Sequence, residues 1–419
     1  MQRGANTPAN TDPAAQEWVA NITRQAAFAR GYSPLYAAIL DALARWLRDG
    51  EGGDATVQRV RSMFWSFVTA RSWDNDLEPI LKLAATLHSR VLLGDPRVAG
   101  LRPYYRTVTP DVAGPDGPVP AASPDEPAFA GELLGALDRL GEDLLAQASG
   151  WEIQTNETAR GVAWLLPAAL LQIEAAHLVE LGASAGLNLH ADQRRFTLRW
   201  PGGPVVVLGL AEAPQFEIDC EGPTPPLHAA VRPPEIVTRV GADARLIDLD
   251  APDAEIQLAA CVWGDQPQRM QRLQEALELR RRFRGTPQAA RLLRARLPDE
   301  TDEFLRAAVP VHPVAPVILF DTYVTAYFND VDHRALVRAV EAFARPWTLR
   351  HKLPWLWVRF EPPRPGEPPP PQVGWCRWWV EVWTQGRRHS IELGWGHPHC
   401  VRLALGPGVA DLTALRGPE

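Results

Sequence analysis

The stretch HLVELGASAGLNLH, residues 177–190, constrains this chain more than any other. A short apolar run ends at Glu180-Leu181 and breaks into Gly182-Ala183-Ser184-Ala185-Gly186. That order predicts a buried strand, a tight turn and a helix start over about 187–195. Glycine at 182 and 186 lets the backbone turn and approach a neighbour closely, because no Cβ intrudes. The turn admits two chemistries. G-x-S-x-G is the spacing of a hydrolase nucleophile elbow, with Ser184 as nucleophile. E-x-G-x-S-x-G suits a ligand-binding turn, in which Ser184 matters only for being small.

The sequence on either side separates the two. Before residue 176 the apolar spacing is helical. Leu35, Ile39, Leu43, Trp46 and Leu47 recur at steps of three and four, with Ser33 placed to cap and Pro34 to start that helix. Similar patterns run over about 17–30, 56–71, 76–93 and 128–149, and residues 110–127 read as a loop or linker rich in proline and glycine. After 176, strand-like runs alternate with helical ones. Candidate strands lie in Glu235–Leu249, Val314–Phe320, Pro354–Phe360, Trp375–Trp383, Ser390–Trp395 and Cys400–Leu405, and 195–210 reads as a β-hairpin. The expected architecture is α/β: a helical N-terminal region over 1–150, then a Rossmann-like domain over 151–419 with late antiparallel strands.

An α/β-hydrolase builds several strands before its elbow, whereas the residues before 176 read as helices. A triad through Ser184 would draw on Asp321 and on His351, His397 or His399, which have the right chain order. The ligand-binding turn needs no earlier strands. Here the chain resembles class I methyltransferases: VELGASAGLNL matches their first motif at Glu180, Gly182 and Gly186, with Ser184 where a second glycine is usual. The resemblance implies a site for S-adenosylmethionine. Glu180 would receive its amino group, Gly182, Ser184, Gly186 and Asn188 would shape the loop, and Asp243 would bind the ribose. Methyl transfer depends chiefly on positioning, so it leaves no conspicuous catalytic residue to read.

A broader resemblance covers most of the chain. SPLY (Ser33 to Tyr36), QTNETAR (Gln154 to Arg160), VELGASAGLNL (Val179 to Leu189), RVGAD (Arg239 to Asp243) and WGDQPQRMQRLQEAL (Trp263 to Leu277) are similar to the landmarks of a bacterial family known as domain of unknown function 2332. Departures are small: Thr158-Ala159 replace a valine-glycine type pair, and Gly264 replaces a proline. The resemblance implies a helical region joined to a Rossmann-like domain, and no settled activity.

Gln154, Thr155, Asn156, Glu157 and Arg160 form a polar cluster. They read either as a helix N-terminus, with Asn156 or Thr155 as cap, or as the rim of a substrate pocket over the glycine loop. His397, His399 and Cys400 alternate in GHPHC, but no second ligand pair of recognisable spacing accompanies them, so no metal is assigned. Nine arginines against two glutamates over 269–296 read first as a solvated helix face. The formal net charge of −7 argues against a general nucleic-acid binder. No apolar run is long enough to span a bilayer. Four cysteines without a C-x-x-C pair suit free thiols in a reducing cytoplasm. The expected partner is a small-molecule ligand. A serine hydrolase and a non-catalytic ligand-binding protein are the alternatives, and oligomeric state is not legible.

Overall fold

The structure, a computed structural model, describes residues 13–49, 54–70, 73, 78–114, 117–151, 153–154, 156–210, 212–213 and 215–416. They form two compact units. Unit 1 comprises Met1–Thr155 and Leu249–Gln271, and unit 2 comprises Asn156–Asp248 and Arg272–Glu419. Residues 249–271, which the sequence reading placed with the α/β region, thus belong to unit 1.

Unit 1 is helical: α1 (Pro13–Arg30), α2 (Pro34–Asp49), α3 (Ala55–Thr69), α4 (Glu78–Leu92) and α5 (Pro127–Gly150), with a short ribbon β1 (Val112–Gly114) and β2 (Gly117–Val119). The periodic residues Leu35, Ile39, Leu43, Trp46 and Leu47 are buried together in its core. Ser33 caps α2 by accepting the Tyr36 N–H at 3.3 Å. Its hydroxyl donates to Asp265 at 2.7 Å, and the same carboxylate accepts the Leu35 N–H at 2.9 Å. Trp263 packs edge-on against Tyr36, with centroids 4.0 Å apart. The landmarks SPLY and WGDQ are therefore one structural joint, although some 230 residues separate them. Gly264 sits where a Cβ would overlap the Tyr105 ring.

Unit 2 carries a twelve-stranded sheet among the described residues. Its strands are β3 (Ala175–Leu181), β4 (Arg195–Arg199), β5 (Val205–Gly209), β6 (Gln215–Glu221), β7 (Ala230–Val231), β8 (Glu235–Asp243), β9 (Arg291–Arg294), β10 (Val317–Thr322), β11 (Trp355–Glu361), β12 (Cys376–Thr384), β13 (Arg387–Gly396) and β14 (Arg402–Leu405). The order is β7-β5-β4-β6-β14-β13-β12-β11-β10-β3-β8-β9. The five strands from β11 to β9 are parallel. Strand β12 then runs antiparallel to β11, and β13 antiparallel to β12.

Strands β3, β10 and β11 read as continuous apolar runs because both their faces are covered. Leu178, Ile318, Phe320, Leu356 and Val358 enter one core, while Val179, Leu181, Val317, Leu319, Trp355 and Trp357 enter another. Alternating residues on shared strands thus feed cores on opposite faces. The late tryptophans supply bulk here: Trp355, Trp357, Trp378 and Trp383 are fully buried. The hairpin expected over 195–210 is β4–β5, paired Arg195 to Gly209.

The helix expected after the glycine turn is instead a 3₁₀ segment, Asn188–Gln193, with His190 outside helical geometry. An α-helix here would need the carbonyls of residues 187–189 as acceptors. They are already taken by side chains. Arg194 holds the Leu187 carbonyl at 3.0 Å, the Trp164 indole holds that of Asn188 at 3.2 Å, and Arg239 holds that of Leu189 at 2.6 Å.

Candidate functional site

The glycine turn leaves the carboxyl end of β3 at the centre of the parallel run. Gly182, Ser184 and Gly186 all have positive φ, at 71°, 51° and 69°. The turn is fastened to β8: Ala183 N–H donates to the Ala242 carbonyl and Ser184 N–H to Asp243 Oδ2, each at 2.8 Å. Asp243 Oδ1 accepts the Arg245 N–H at 2.9 Å. Protein side chains fill the space the glycines leave. A Cβ on Gly182 would overlap Val324, and one on Gly186 would lie 2.9 Å from Leu292 Cδ2. The landmark RVGAD now has a physical account. Arg239 forms a buried two-point ion pair with Asp192 at 2.6 and 2.7 Å, Gly241 admits Ala183 closely, and Asp243 closes the turn.

Glu180 is buried at the end of β3, and its Oε2 has no hydrogen-bond partner. Burial pushes its carboxyl well above the usual range, and the neighbouring Asp243 adds to the rise. Arg194 and Arg280 oppose it. Arg194 is itself fully buried, and burial lowers it to about 10. Its guanidinium donates to the Thr158 carbonyl at 2.9 Å. Asn188 donates from Nδ2 to the Glu157 carbonyl at 3.2 Å, while its buried Oδ1 has no partner. Two orphaned acceptors thus flank the turn.

The polar cluster before the turn divides. Gln154 lies in unit 1, with its backbone against the Cys261 thiol, and Thr155 lies outside the described residues. Asn156, Glu157 and Arg160 belong to unit 2, Asn156 half-buried and the other two buried. Glu157, not Asn156, is the cap: its Oε1 accepts the Ala159 N–H at 3.2 Å. Its Oε2 meets His399 Nδ1 at 2.9 Å. The NETAR segment, Asn188 and the GHPHC segment therefore come together in space.

A second buried acid pair stands on the neighbouring strands. Asp321 lies near the end of β10 and Glu361 at the end of β11; burial raises both carboxyls, and the charge of Asp321 helps push Glu361 up to about 8. Glu361 also accepts backbone N–H groups of Val324 at 2.7 Å and Thr325 at 3.0 Å. Asp321 accepts the Trp357 indole. Of the groups a Ser184 triad would require, Asp321 thus meets Trp357, His399 meets Glu157, His397 Nδ1 accepts the His399 N–H at 3.2 Å, and the His351 ring lies tilted 5.1 Å from Trp347. Sequence reasoning missed Arg194, Arg280 and Glu361. Nothing local marks them, since each acquires its role from the strand or turn it packs against.

Across residues 19–404 the chain matches the model of a family described as an uncharacterized protein conserved in bacteria, DUF2332. The chain belongs to this family. No curated protein and no solved structure matches it. In this DUF2332 member no helix among the described residues is long and apolar enough to cross a membrane. No group of three or more His, Cys, Asp or Glu among those residues is placed to hold a metal ion. The four cysteines are free. A cavity of about 1260 Å³ is lined by Glu235, Ile236, Val237 and Arg239 from the first half of β8, with Glu275 and Arg282, rather than by the glycine turn.

Proposed function

We propose that unit 2 is a Rossmann-like, methyltransferase-type domain that binds a small molecule outside the carboxyl ends of β3, β8 and β10. The proposed ligand is S-adenosylmethionine, and the proposed reaction is methyl transfer to a small-molecule acceptor. The strand order supports this. Read outward from β3, the chain adds β8 and β9 on one side and β10 and β11 on the other, so the order reverses between β3 and β10. Ligands of open parallel sheets bind at such a switch point.

One observation carries the reading: Glu180, buried beside the turn with an unpartnered oxygen. A buried carboxyl without a cationic partner holds its proton, and a ligand ammonium would supply the missing charge. Asn188 Oδ1 is a second acceptor without a donor. Gly182, Ser184 and Gly186 would shape the turn, and Asp243 would bind hydroxyls with the lone pairs its two amide donors leave. Asn156, Glu157 and Arg160 would face the acceptor. When bound, the ligand would supply an electrophilic methyl group, and the protein would orient the acceptor toward it.

Titration calorimetry with S-adenosylmethionine and its demethylated product tests this. Saturable binding with proton release, read from the heats in buffers of different ionisation enthalpy, is expected. Absence of heat from both ligands at millimolar concentration defeats the reading.

A further inference from the structure

Unit 2 holds a second set of ionisable and charged groups, around His399 and Arg160. Glu157 is 3% exposed and its Oε2 lies 2.9 Å from His399 Nδ1; His399 is 12% exposed. A carboxylate on Nδ1 fixes the imidazole tautomer, with the proton on Nδ1 and the lone pair on Nε2. That arrangement suits a general base, because the carboxylate stabilises the imidazolium formed when Nε2 takes a proton.

Arg160 enters from the same turn as Glu157. It is buried, and its Nε donates to the Pro398 carbonyl at 2.8 Å, one residue before His399. Its Nη1 reaches the Thr322 carbonyl at 3.5 Å, and its guanidinium lies 4.8 Å from the centre of the Tyr323 ring. Among the described residues no carboxylate forms an ion pair with it. Its guanidinium is held by carbonyls and a ring face, and carboxylates match its planar fork.

Topology puts this set at the carboxyl edge of the sheet. Strand β13 runs in the same direction as β11, since each is antiparallel to β12. Its last residue, Gly396, stands opposite Cys376, at the end where Glu361 stands opposite Arg377. The 397–400 segment therefore leaves the sheet on the side where β10 delivers Thr322.

We propose that Glu157, His399 and Arg160 form a catalytic site for a small carboxylic acid. Arg160 holds the substrate's carboxylate, and His399 removes a proton from its O–H or N–H group. In that step the O–H or N–H bond breaks, its electron pair stays on the heteroatom, and an N–H bond forms at His399 Nε2. The imidazolium is held by Glu157 and returns its proton to water or product. The site goes beyond the cofactor reading and stands whether or not S-adenosylmethionine binds.

Nuclear magnetic resonance of the full chain, with histidine and arginine labelled in nitrogen, tests it with acetate as probe and acetamide as the neutral control. Acetate should shift the Arg160 Nε–H and His399 signals saturably, and acetamide should not. Arg160→Gln should abolish the response and Arg160→Lys should weaken it. Glu157→Gln should lower the His399 imidazole pKa through loss of the adjacent charge. Equal responses to acetate and acetamide overturn the proposal, as does an acetate response that survives Arg160→Gln. An unchanged His399 pKa in Glu157→Gln overturns the proton-transfer role. If Arg160→Gln fails to fold, the acetate–acetamide comparison on the unmodified chain still decides.

Discussion

Removing either partner of the Arg239–Asp192 ion pair should unfold unit 2 far more easily than removing both. Each side chain is 3% exposed, and two charge-assisted hydrogen bonds of 2.6 and 2.7 Å join them. Asp192→Asn leaves the guanidinium buried with the Leu189 carbonyl, and its Nε already has no partner. Stranding one buried charge in this way costs about 3–5 kcal/mol. Arg239→Met strands the Asp192 carboxylate, which keeps only its Gln193 amide partner, and should cost a similar amount. The double variant Asp192→Leu/Arg239→Met removes both charges and should lose less than the sum, giving a coupling of about 3 kcal/mol. Urea unfolding followed by tryptophan emission reads this out, Trp355, Trp357 and Trp378 being fully buried in unit 2. In heat, each kcal/mol corresponds to about 2–4 °C for a domain of this size. Additive variants, or single losses below about 1 kcal/mol, refute the claim that this pair pins the segment after the glycine turn to β8.

The buried carboxyls make a pH prediction of definite sign. Glu180, Asp321, Glu361 and Glu381 are all raised by burial, so the folded state holds their protons more tightly than the unfolded chain. Their contribution is complete below about pH 4 and is lost as pH rises, for Glu361 through about 8. His88 and His190, lowered by burial to about 4 and about 3, act oppositely, and stability they contribute is lost as pH falls below about 6.5. Urea midpoints should therefore peak between roughly pH 5 and 6.5, and a steady rise to pH 8 would contradict the assignment. Glu180→Gln removes the carboxyl proposed to receive the ligand ammonium. It should abolish S-adenosylmethionine binding while raising stability at pH 8, and unchanged binding speaks against its role. Gly182→Ala should cost more than 1 kcal/mol by thermal melting, since the residue sits at φ 71° and its Cβ meets Val324. A fluorophosphonate probe should leave Ser184 unlabelled, and labelling lost in Ser184→Ala would restore the nucleophile reading.

The elements were largely legible because their signals are local. Helical spacing and the Ser33 cap marked α2, and alternation broken at Pro201–Pro204 marked the β4–β5 hairpin. The run VILF and the tryptophan-rich LPWLWVRF marked strands covered on both faces, β10 and β11. Strands β6 and β9 escaped, because Gln215–Glu221 and Arg291–Arg294 carry polar residues whose placement depends on neighbouring strands. The helix expected after Gly186 failed for a similar reason: its carbonyls are claimed by Arg194, Trp164 and Arg239.

By itself the sequence determined the family, the helical first unit and the strand–turn that opens the sheet. Each rests on periodicity or on glycines whose freedom of φ is a property of the residue. Tertiary structure alone decided which polar residues meet. Glu157 and His399 stand 242 positions apart, Ser184 and Asp243 are 59 apart, and Ser33 and Asp265 are 232 apart. Nothing local encodes those contacts, because they follow from how distant segments pack within each unit. Nor does composition show that Glu180 lacks a partner, since desolvation is a property of everything packed around it.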